Sequence, residues 1–195
     1  LGPDRPAITY ALRGALSVEL EVHGPGHDLH SGNFGGAVHN PLQALCEIIA
    51  RLHDAEGTVA IPGFYDRGRQ WSPRERAYMA ATGPADEEIL RDAAAESGWG
   101  EPGYSSYERL TLRPALTING FVGGYQGPGA KAVIPAKAAA KLNFRLVPDQ
   151  GPREIETLFR QHIARITPPT VRSEVRAIAS AKPALVSRQN PAVQA

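Results

Sequence analysis

This chain has very little cysteine: Cys46 is its single one, which excludes a disulfide framework within the chain. A lone thiol fits a reducing compartment, so we expect a cytoplasmic protein. No run of about 18 apolar residues occurs, and the sequence therefore predicts no membrane-spanning helix. The opening LGPDRPAITY lacks the basic region and apolar stretch of a signal peptide. Because it also lacks an initiator methionine, we expect the sequence to be a piece of a longer protein.

An excess of charge of either sign is also missing. The chain has 21 Lys and Arg residues against 20 Asp and Glu residues, a formal net charge of +1. Such a balance gives no electrostatic attraction to nucleic acid or to anionic lipid, so we predict neither partner. Hydrophobic residues make up 42% of the sequence, and 195 residues are enough to bury a substantial core. The composition is typical of an ordinary globular domain.

Four segments alternate apolar and polar residues, which is the pattern of strands with one solvated face. They are residues 14–23, 114–122, 137–147 and 170–178. His23 falls on the polar side of the first of them. We therefore interpret His23 as a solvent-facing strand residue.

Two segments carry apolar residues at helical spacing. The stripe of residues 41–54 consists of Leu42, Leu45, Cys46, Ile49 and Leu52, and it follows an N-cap asparagine and a proline. We predict from this stripe that Cys46 is a buried small apolar residue. The second helix begins at Pro152, and its own stripe gives His162 a structural position.

The order of elements is strand, helix, strand, strand, helix, strand. This order predicts an α+β two-layer sandwich: an antiparallel four-stranded sheet with two helices on one face, β-α-β-β-α-β, ferredoxin-like. Residues 14–178 form this domain. Residues 57–112 interrupt it as an insertion, in which we expect two short helices and a loop.

The segment GHDLHSGNFGGAVHNP, residues 26–41, raises the question of function because it holds three of the six histidines. Three interpretations are open: a metal cluster with His23, a catalytic histidine on a flexible loop, or a polar turn before a helix. His23 and His27 are four residues apart, a spacing that binds one ion readily on a helix. The intervening GPG excludes a helix, and no acidic or cysteine cluster has ligand spacing. We predict no metal site in this chain.

The sequence gives little support for a serine–histidine nucleophilic site or for a phosphate-binding loop. Ser31 directly follows His30, and adjacent side chains rarely reach the geometry that a nucleophile and its base need. Residues 120–131, GFVGGYQGPGAK, are rich in glycine. They join two predicted antiparallel strands, however, and do not open a helix whose N-terminus would bind phosphate.

Two residues remain as candidates. His30 lies on a glycine-rich loop after a strand, and Arg145 lies on the open face of the predicted sheet, where its forked guanidinium suits a carboxylate. Each alone has a more ordinary interpretation, as a solvated loop residue and as a residue that keeps its strand face soluble. The residues by themselves indicate an α+β domain that supports a site built elsewhere. An RNA-binding sheet is disfavoured by the near-neutral charge and by the lack of stacking aromatics on the polar strand faces.

Several motifs in register resemble one family. RPAITYALRG at residues 5–14, DLHSGNFGGAVHNP at 28–41, IPGFYD at 61–66 and GPGAKAVIPAKAAAKLNFRLVP at 127–148 are similar to the lid, or dimerisation, domain of the dinuclear zinc peptidases. That family includes aminoacylase, succinyl-diaminopimelate desuccinylase, carboxypeptidase G and carnosinase-type dipeptidases. IPGFYD and the long insertion resemble the dipeptidase branch most.

The resemblance implies that the metal ions and the substrate-contacting side chains come from different domains. Two zinc ions would be bound outside this chain, in a catalytic domain to which residues 1–13 and 179–195 connect, so the isolated domain is expected to be catalytically silent. His30 matches the histidine that enters the partner subunit's active site and stabilises the oxyanion. Arg145 matches the arginine that holds the substrate's carboxylate, and the resemblance implies that the domain supplies both side chains in trans. Relatives often carry a polar, substrate-binding residue at the position of Ala132; the resemblance implies that Ala132 lines the substrate pocket with its backbone and lacks that side-chain hydrogen bond.

The resemblance also implies a homodimer that hydrolyses peptide-like substrates such as dipeptides or N-acyl amino acids. Helix 41–54 and an edge strand, 114–122, are the candidates for the two-fold contact, because an unpaired edge is a natural place for a sheet to extend. The alternative is a stand-alone ferredoxin-like module that binds or senses a small molecule, since this order of elements serves many such modules.

Overall fold

The computed structural model describes residues 9–187 and 190–191. Its main sheet has four antiparallel strands: β2 (Gly14–His23), β4 (Ala115–Gly123), β6 (Lys137–Leu146) and β7 (Arg172–Ala181). The strand order is β4-β6-β2-β7, so β6 and β2 are central and β4 and β7 form the edges. The predicted fold class, an α+β sandwich on an antiparallel four-stranded sheet, is confirmed.

Two helices cover one face of this sheet. Helix α2 (Pro41–Ala50) packs over β2 and β6, and α6 (Pro152–Ile166) packs over β2 and β7. Alternate residues of the central strands face the helices, and the core they form includes Leu16, Val18, Leu20, Leu142 and Phe144. The opposite face of the sheet carries the polar residues. The predicted two-layer arrangement follows from this period-two pattern.

Helix α2 is shorter than the predicted range 41–54. It begins as expected, with Asn40 as N-cap and Pro41 at the first position, but it ends at Ala50. The carboxylate of Asp54 accepts backbone N–H groups of Glu56 and Thr58 at 3.0 and 2.8 Å. Gly57 adopts a φ of 81°, which glycine tolerates without strain, and the chain reverses here. An aspartate-centred turn therefore replaces the last helical turn.

The prediction that Cys46 is buried is wrong. Its side chain is exposed, while Ala44, Leu45 and Ile48 point into the core. Leu42 and Ile49 are only partly buried beside the core. The apolar stripe of α2 is therefore wider than the face that the sheet covers, and the remainder lies along the outer side of the helix.

The insertion contains three helices: α3 (Pro73–Thr82), α4 (Asp86–Asp92) and α5 (Ser106–Thr111). The third was not expected, although Ser105 and Glu108 form the same capping box that Ser72 and Glu75 form before α3. A buried Arg113 links parts of this region, because it pairs with Glu101 at 2.6 Å and stacks on Tyr104.

Two short ribbons lie outside the main sheet. Strand β1 (Ala11–Leu12) pairs with β8 (Ala184–Leu185), which brings the two flanks of the domain side by side. Strand β3 (Leu29–His30) pairs with β5 (Val133–Ile134), and the four-residue helix α1 (Ser31–Phe34) follows β3. Neither ribbon was predicted, because two-residue strands have no periodicity to detect.

Candidate functional site

The β3–β5 ribbon brings two of the predicted site residues together. His30 is paired with Val133, and the N–H of Ser31 donates to the carbonyl oxygen of Ala132 at 3.2 Å. The carboxylate of Asp28 accepts the N–H of Ala136 at 2.8 Å and holds the base of the same ribbon. Residues about a hundred positions apart in the sequence thus form one structural unit.

The imidazole of His30 has a defined orientation. Its Nδ1 accepts the backbone N–H of Gly32 at 3.0 Å. A Cβ atom at position 32 would lie 2.7 Å from Cε1 of the ring, so glycine at this position leaves room for the observed ring orientation. Because Nδ1 is the acceptor, the neutral ring carries its proton on Nε2. His30 is exposed, and this arrangement presents Nε2–H to the surroundings as a hydrogen-bond donor.

Ala132 contributes only backbone to this unit. Its side chain is exposed and has no polar atom, so the ribbon lacks a side-chain donor there. The loop that precedes it is partly ordered by Tyr125, whose hydroxyl donates to the carbonyl of Pro128 at 2.8 Å. The ammonium of Lys131 lies 5.9 Å from the centre of the same ring.

Arg145 lies at the other end of the sheet. It is paired with Ala15 on one side and Ala115 on the other, and its side chain is exposed on the open face between these small residues. None of the hydrogen bonds or ion pairs among the described residues occupies its guanidinium. Strand β6 begins at Lys137, near the His30 ribbon. Arg145 is eight residues further along the strand, about 26 Å from Lys137.

A second arginine, which the sequence reasoning missed, accompanies Arg145. Arg13 directly precedes β2 and is only partly exposed. Its Nη1 donates to the carbonyl oxygen of Arg109 at a long 3.4 Å. Burial and the nearby Arg145 guanidinium lower the pKa of Arg13. Two cations therefore share this end of the sheet.

His23 and His39 have ordinary surroundings. His23 lies on the open face, with Nε2 2.8 Å from Oε1 of Glu21 and 4.0 Å from Oε2 of Glu174. His39 contacts the hydroxyl of Thr170 at 2.6 Å. Over residues 9–187 and 190–191, no three or more His, Cys, Asp or Glu side chains are placed to hold a metal ion. No helix in the same ranges is long and apolar enough to cross a membrane.

The two edges of the sheet differ in character. Strand β4 has no charged residue, and it exposes Phe121 and Val122 at 45% and 62%. The opposite edge, β7, carries Arg172, Glu174 and Arg176. Charges along an edge strand discourage pairing with another chain, whereas an uncharged apolar edge permits it.

Helix α2 continues the apolar surface beside β4. An added Cβ at Gly124, just after β4, would contact Leu42 of α2 at 3.5 Å, so the helix and the edge strand adjoin. Together with Phe121 and Val122, the side chains of Leu42, Cys46 and Ile49 form what we call the outer flank. Within the outer flank, Leu42 is the residue that adjoins the end of β4.

Comparison with known proteins gives this arrangement a context. Residues 10–171 match the family described as the peptidase dimerisation domain. The chain is 34% identical over 167 residues to the Cys-Gly metallodipeptidase dug1 of Schizosaccharomyces pombe, covering 85% of this chain and 35% of that protein. It is 30% identical over 166 residues to the Beta-Ala-His dipeptidase of Rattus norvegicus, covering 85% of this chain and 34% of that protein. The chain thus spans about a third of the length of these curated relatives.

Solved structures agree with the sequence comparison. The di-peptidase Dug1p of Saccharomyces cerevisiae superposes with a TM-score of 0.85 at 27% identity, covering all of this chain and 41% of that one. Human carnosine dipeptidase 1 gives a TM-score of 0.83 at 28% identity, covering 94% and 40%. An M20 family metallo-carboxypeptidase of Sulfolobus solfataricus gives 0.84 at 33% identity, covering 98% and 50%.

Proposed function

This chain belongs to the peptidase dimerisation domain family, and on that premise we propose that it is the dimerisation and lid domain of a metal-dependent dipeptidase or amidohydrolase. The substrates we propose are dipeptides or N-acyl amino acids. The observation that carries the proposal is the orientation of His30, whose Nε2–H is presented as a donor from an exposed ribbon. We propose that the isolated domain is catalytically silent.

His30 fits the role of an oxyanion donor. When water attacks an amide carbonyl, negative charge develops on the carbonyl oxygen, and a fixed donor aimed at that oxygen stabilises the transition state by about 2.7–4 kcal/mol. The hydrogen bond from Gly32 to Nδ1 fixes both the tautomer and the ring plane before substrate arrives. Preorganisation of this kind means that little reorganisation is needed at the moment of reaction.

Arg145 fits the role of a carboxylate clamp, because its guanidinium is exposed and free of partners among the described residues. The resemblance implied that one partner subunit supplies both side chains, but the strand geometry favours a different arrangement. Arg145 is about 26 Å along β6 from Lys137, the strand end beside the His30 ribbon. A dipeptide spans only about 7 Å, which favours the supply of His30 and Arg145 to one substrate by different copies.

We therefore propose that each active site takes Arg145 from its own chain and His30 from the partner. Arg145 lies near the β1–β8 ribbon, where the flanking segments 1–13 and 179–195 meet the domain and, we propose, lead to the catalytic domain. Part of those segments, residues 1–8, 188–189 and 192–195, lies outside the described residues. His30 lies at the far end, where it is free to reach another subunit.

The proposed dimer forms through the outer flank. Pairing of two β4 strands about a two-fold axis would continue the sheet from one copy into the other and cover Phe121 and Val122. The same contact would bring the two α2 helices together along Leu42, Cys46 and Ile49. The charged edge β7 is unsuited to such pairing, which supports the choice of β4.

The metal belongs outside this chain in the proposed enzyme. The described residues offer no ligand cluster, and the relatives are metallodipeptidases, so we propose two zinc ions in the catalytic domain. When bound there, the ions would supply an activated water for the attack. We retain the cytoplasm as the proposed location.

The test is the replacement H30A in the full-length enzyme. We expect kcat to fall about 10²–10³-fold while zinc content and the dimer remain unchanged, because His30 donates to the transition state and holds no metal. H27A is the matched control, since His27 is an exposed histidine three residues earlier on the same loop. Normal turnover of H30A, or an equal loss in H27A, would remove His30 from the mechanism.

A further inference from the structure

Arg145 has a neighbour of like charge within its reach. Ala15 is paired directly with Arg145, and side-chain alternation along the strand puts Arg13 on the same face as Ala15. A residue two positions along the adjacent strand lies about 7–8 Å away, which is within reach of long side chains. The register thus places Arg13 and Arg145 on one face of the sheet, beside the small residues Ala15 and Ala115.

Neither guanidinium is neutralised by the part of the chain that the structure describes. The ion pairs found there engage other arginines, such as Arg113, Arg160 and Arg176. The one acceptor of Arg13 is the neutral carbonyl of Arg109, at 3.4 Å. Two cations that are close together, one of them partly desolvated, favour the binding of an anion that offsets their repulsion.

We propose that Arg13 is a second substrate-binding residue beside Arg145, and that the two guanidiniums select dipeptides whose C-terminal residue is aspartate or glutamate. The inference rests on the proposed function, because it assigns the substrate class of the same site. The α-carboxylate binds Arg145, and the side-chain carboxylate binds Arg13. Both carboxylates branch from one Cα, so their spacing suits two arginines on neighbouring strands. A neutral C-terminal side chain would leave Arg13 unpaired.

The test compares the full-length enzyme on Ala-Glu and Ala-Gln, which differ in charge and hardly in shape. We expect wild-type kcat/KM to favour Ala-Glu by about tenfold or more, as a charge-assisted hydrogen bond allows. R13Q should bring this ratio close to one by lowering kcat/KM for Ala-Glu alone, and R13K should restore part of it.

The matched control is R172Q. It removes the same charge from an exposed arginine at the opposite end of the sheet, where Arg172 is paired with His23, and it should keep the wild-type ratio. The inference is overturned if the wild type shows no preference for Ala-Glu, or if R13Q lowers kcat/KM equally for both dipeptides, as a structural role would. Failure of the wild type to hydrolyse either dipeptide, or wild-type kcat/KM in R145Q, would overturn the proposed function together with the inference.

Discussion

The proposed division of Arg145 and His30 between two subunits can be tested by mixing variants. H30A and R145A homodimers should each be impaired, by about 10²–10³-fold in kcat for the loss of an oxyanion donor and by about 10–100-fold in kcat/KM for the loss of a charge-assisted clamp. In a heterodimer of the two, the H30A subunit keeps its own Arg145 and receives His30 from its partner. One of the two sites is then intact.

The expected magnitude follows from the two-fold symmetry. A heterodimer purified with two different affinity tags should show about half the wild-type rate, because one site is complete and the other lacks both side chains. The physical reason for this result is the about 26 Å of strand β6 that separates Arg145 from Lys137, beside the His30 ribbon. Rates are measured on a dipeptide substrate directly after purification, before subunits exchange.

A second heterodimer provides the matched control. It pairs a wild-type subunit with a subunit that carries both H30A and R145A, so the number of replaced side chains is the same. In the split arrangement each of its sites lacks one residue, and the heterodimer should be nearly inactive. If this control were active and the H30A–R145A heterodimer were not, both residues would come from one subunit, and our reasoning from the sheet would be refuted.

Two further predictions concern the assembly and the stability of the domain. F121D should weaken the dimer at least about tenfold in sedimentation experiments, because it places a charge in the uncharged edge strand. I178D, on the opposite edge strand, is the matched control and should leave the dimer unchanged. Ile178 is 51% exposed, which is similar to the exposure of Phe121. Equal effects of the two would contradict the outer flank as the interface. Burial lowers the pKa of His162 below its ordinary 6.5, so the unfolded chain binds the proton more readily. The free energy of unfolding should therefore fall as the pH drops below about 6.5, and less so in H162Q; an unchanged pH dependence in H162Q would refute this assignment.

The fold was predictable because its longer elements follow simple periods. Each of the four main strands runs nine or ten residues, which is long enough for alternation of apolar and polar residues to be recognised. The ribbon of Leu29–His30 with Val133–Ile134 is too short for that signal, and it depends on the rest of the fold to bring its two strands together. Local patterns therefore predict the main sheet and its two covering helices, but not the two short ribbons outside the sheet.

The misplacement of Cys46 has an instructive cause. Periodicity reports how apolar one side of a helix is, and it does not distinguish burial within one chain from burial in an assembly. Leu42, Cys46 and Ile49 continue the apolar stripe of α2 past the sheet. The apolar pattern of the sequence thus combines core residues with exposed ones, and the structure is needed to separate the two.

The candidate site was predicted residue by residue but not in space. The motifs pointed to His30 and Arg145, and nothing in their local sequence indicates which end of the sheet each one occupies. That information lies in the strand register, which pairs Arg145 with Ala15 and leaves His30 beyond the end of β2. Arg13 was missed for a related reason. It precedes strand β2, and only the same register places it beside Arg145.

The separation of these two residues makes the dimer a requirement of the proposed chemistry. A single copy offers either a donor for the oxyanion or a clamp for the carboxylate to a given substrate, and both are needed to orient and activate one amide bond. Symmetry resolves the difficulty, because pairing two identical domains creates two complete sites from two incomplete ones. The uncharged edge strand permits the dimer and the charged edge strand discourages other pairing. Both would then be needed, like the histidine, for a complete active site.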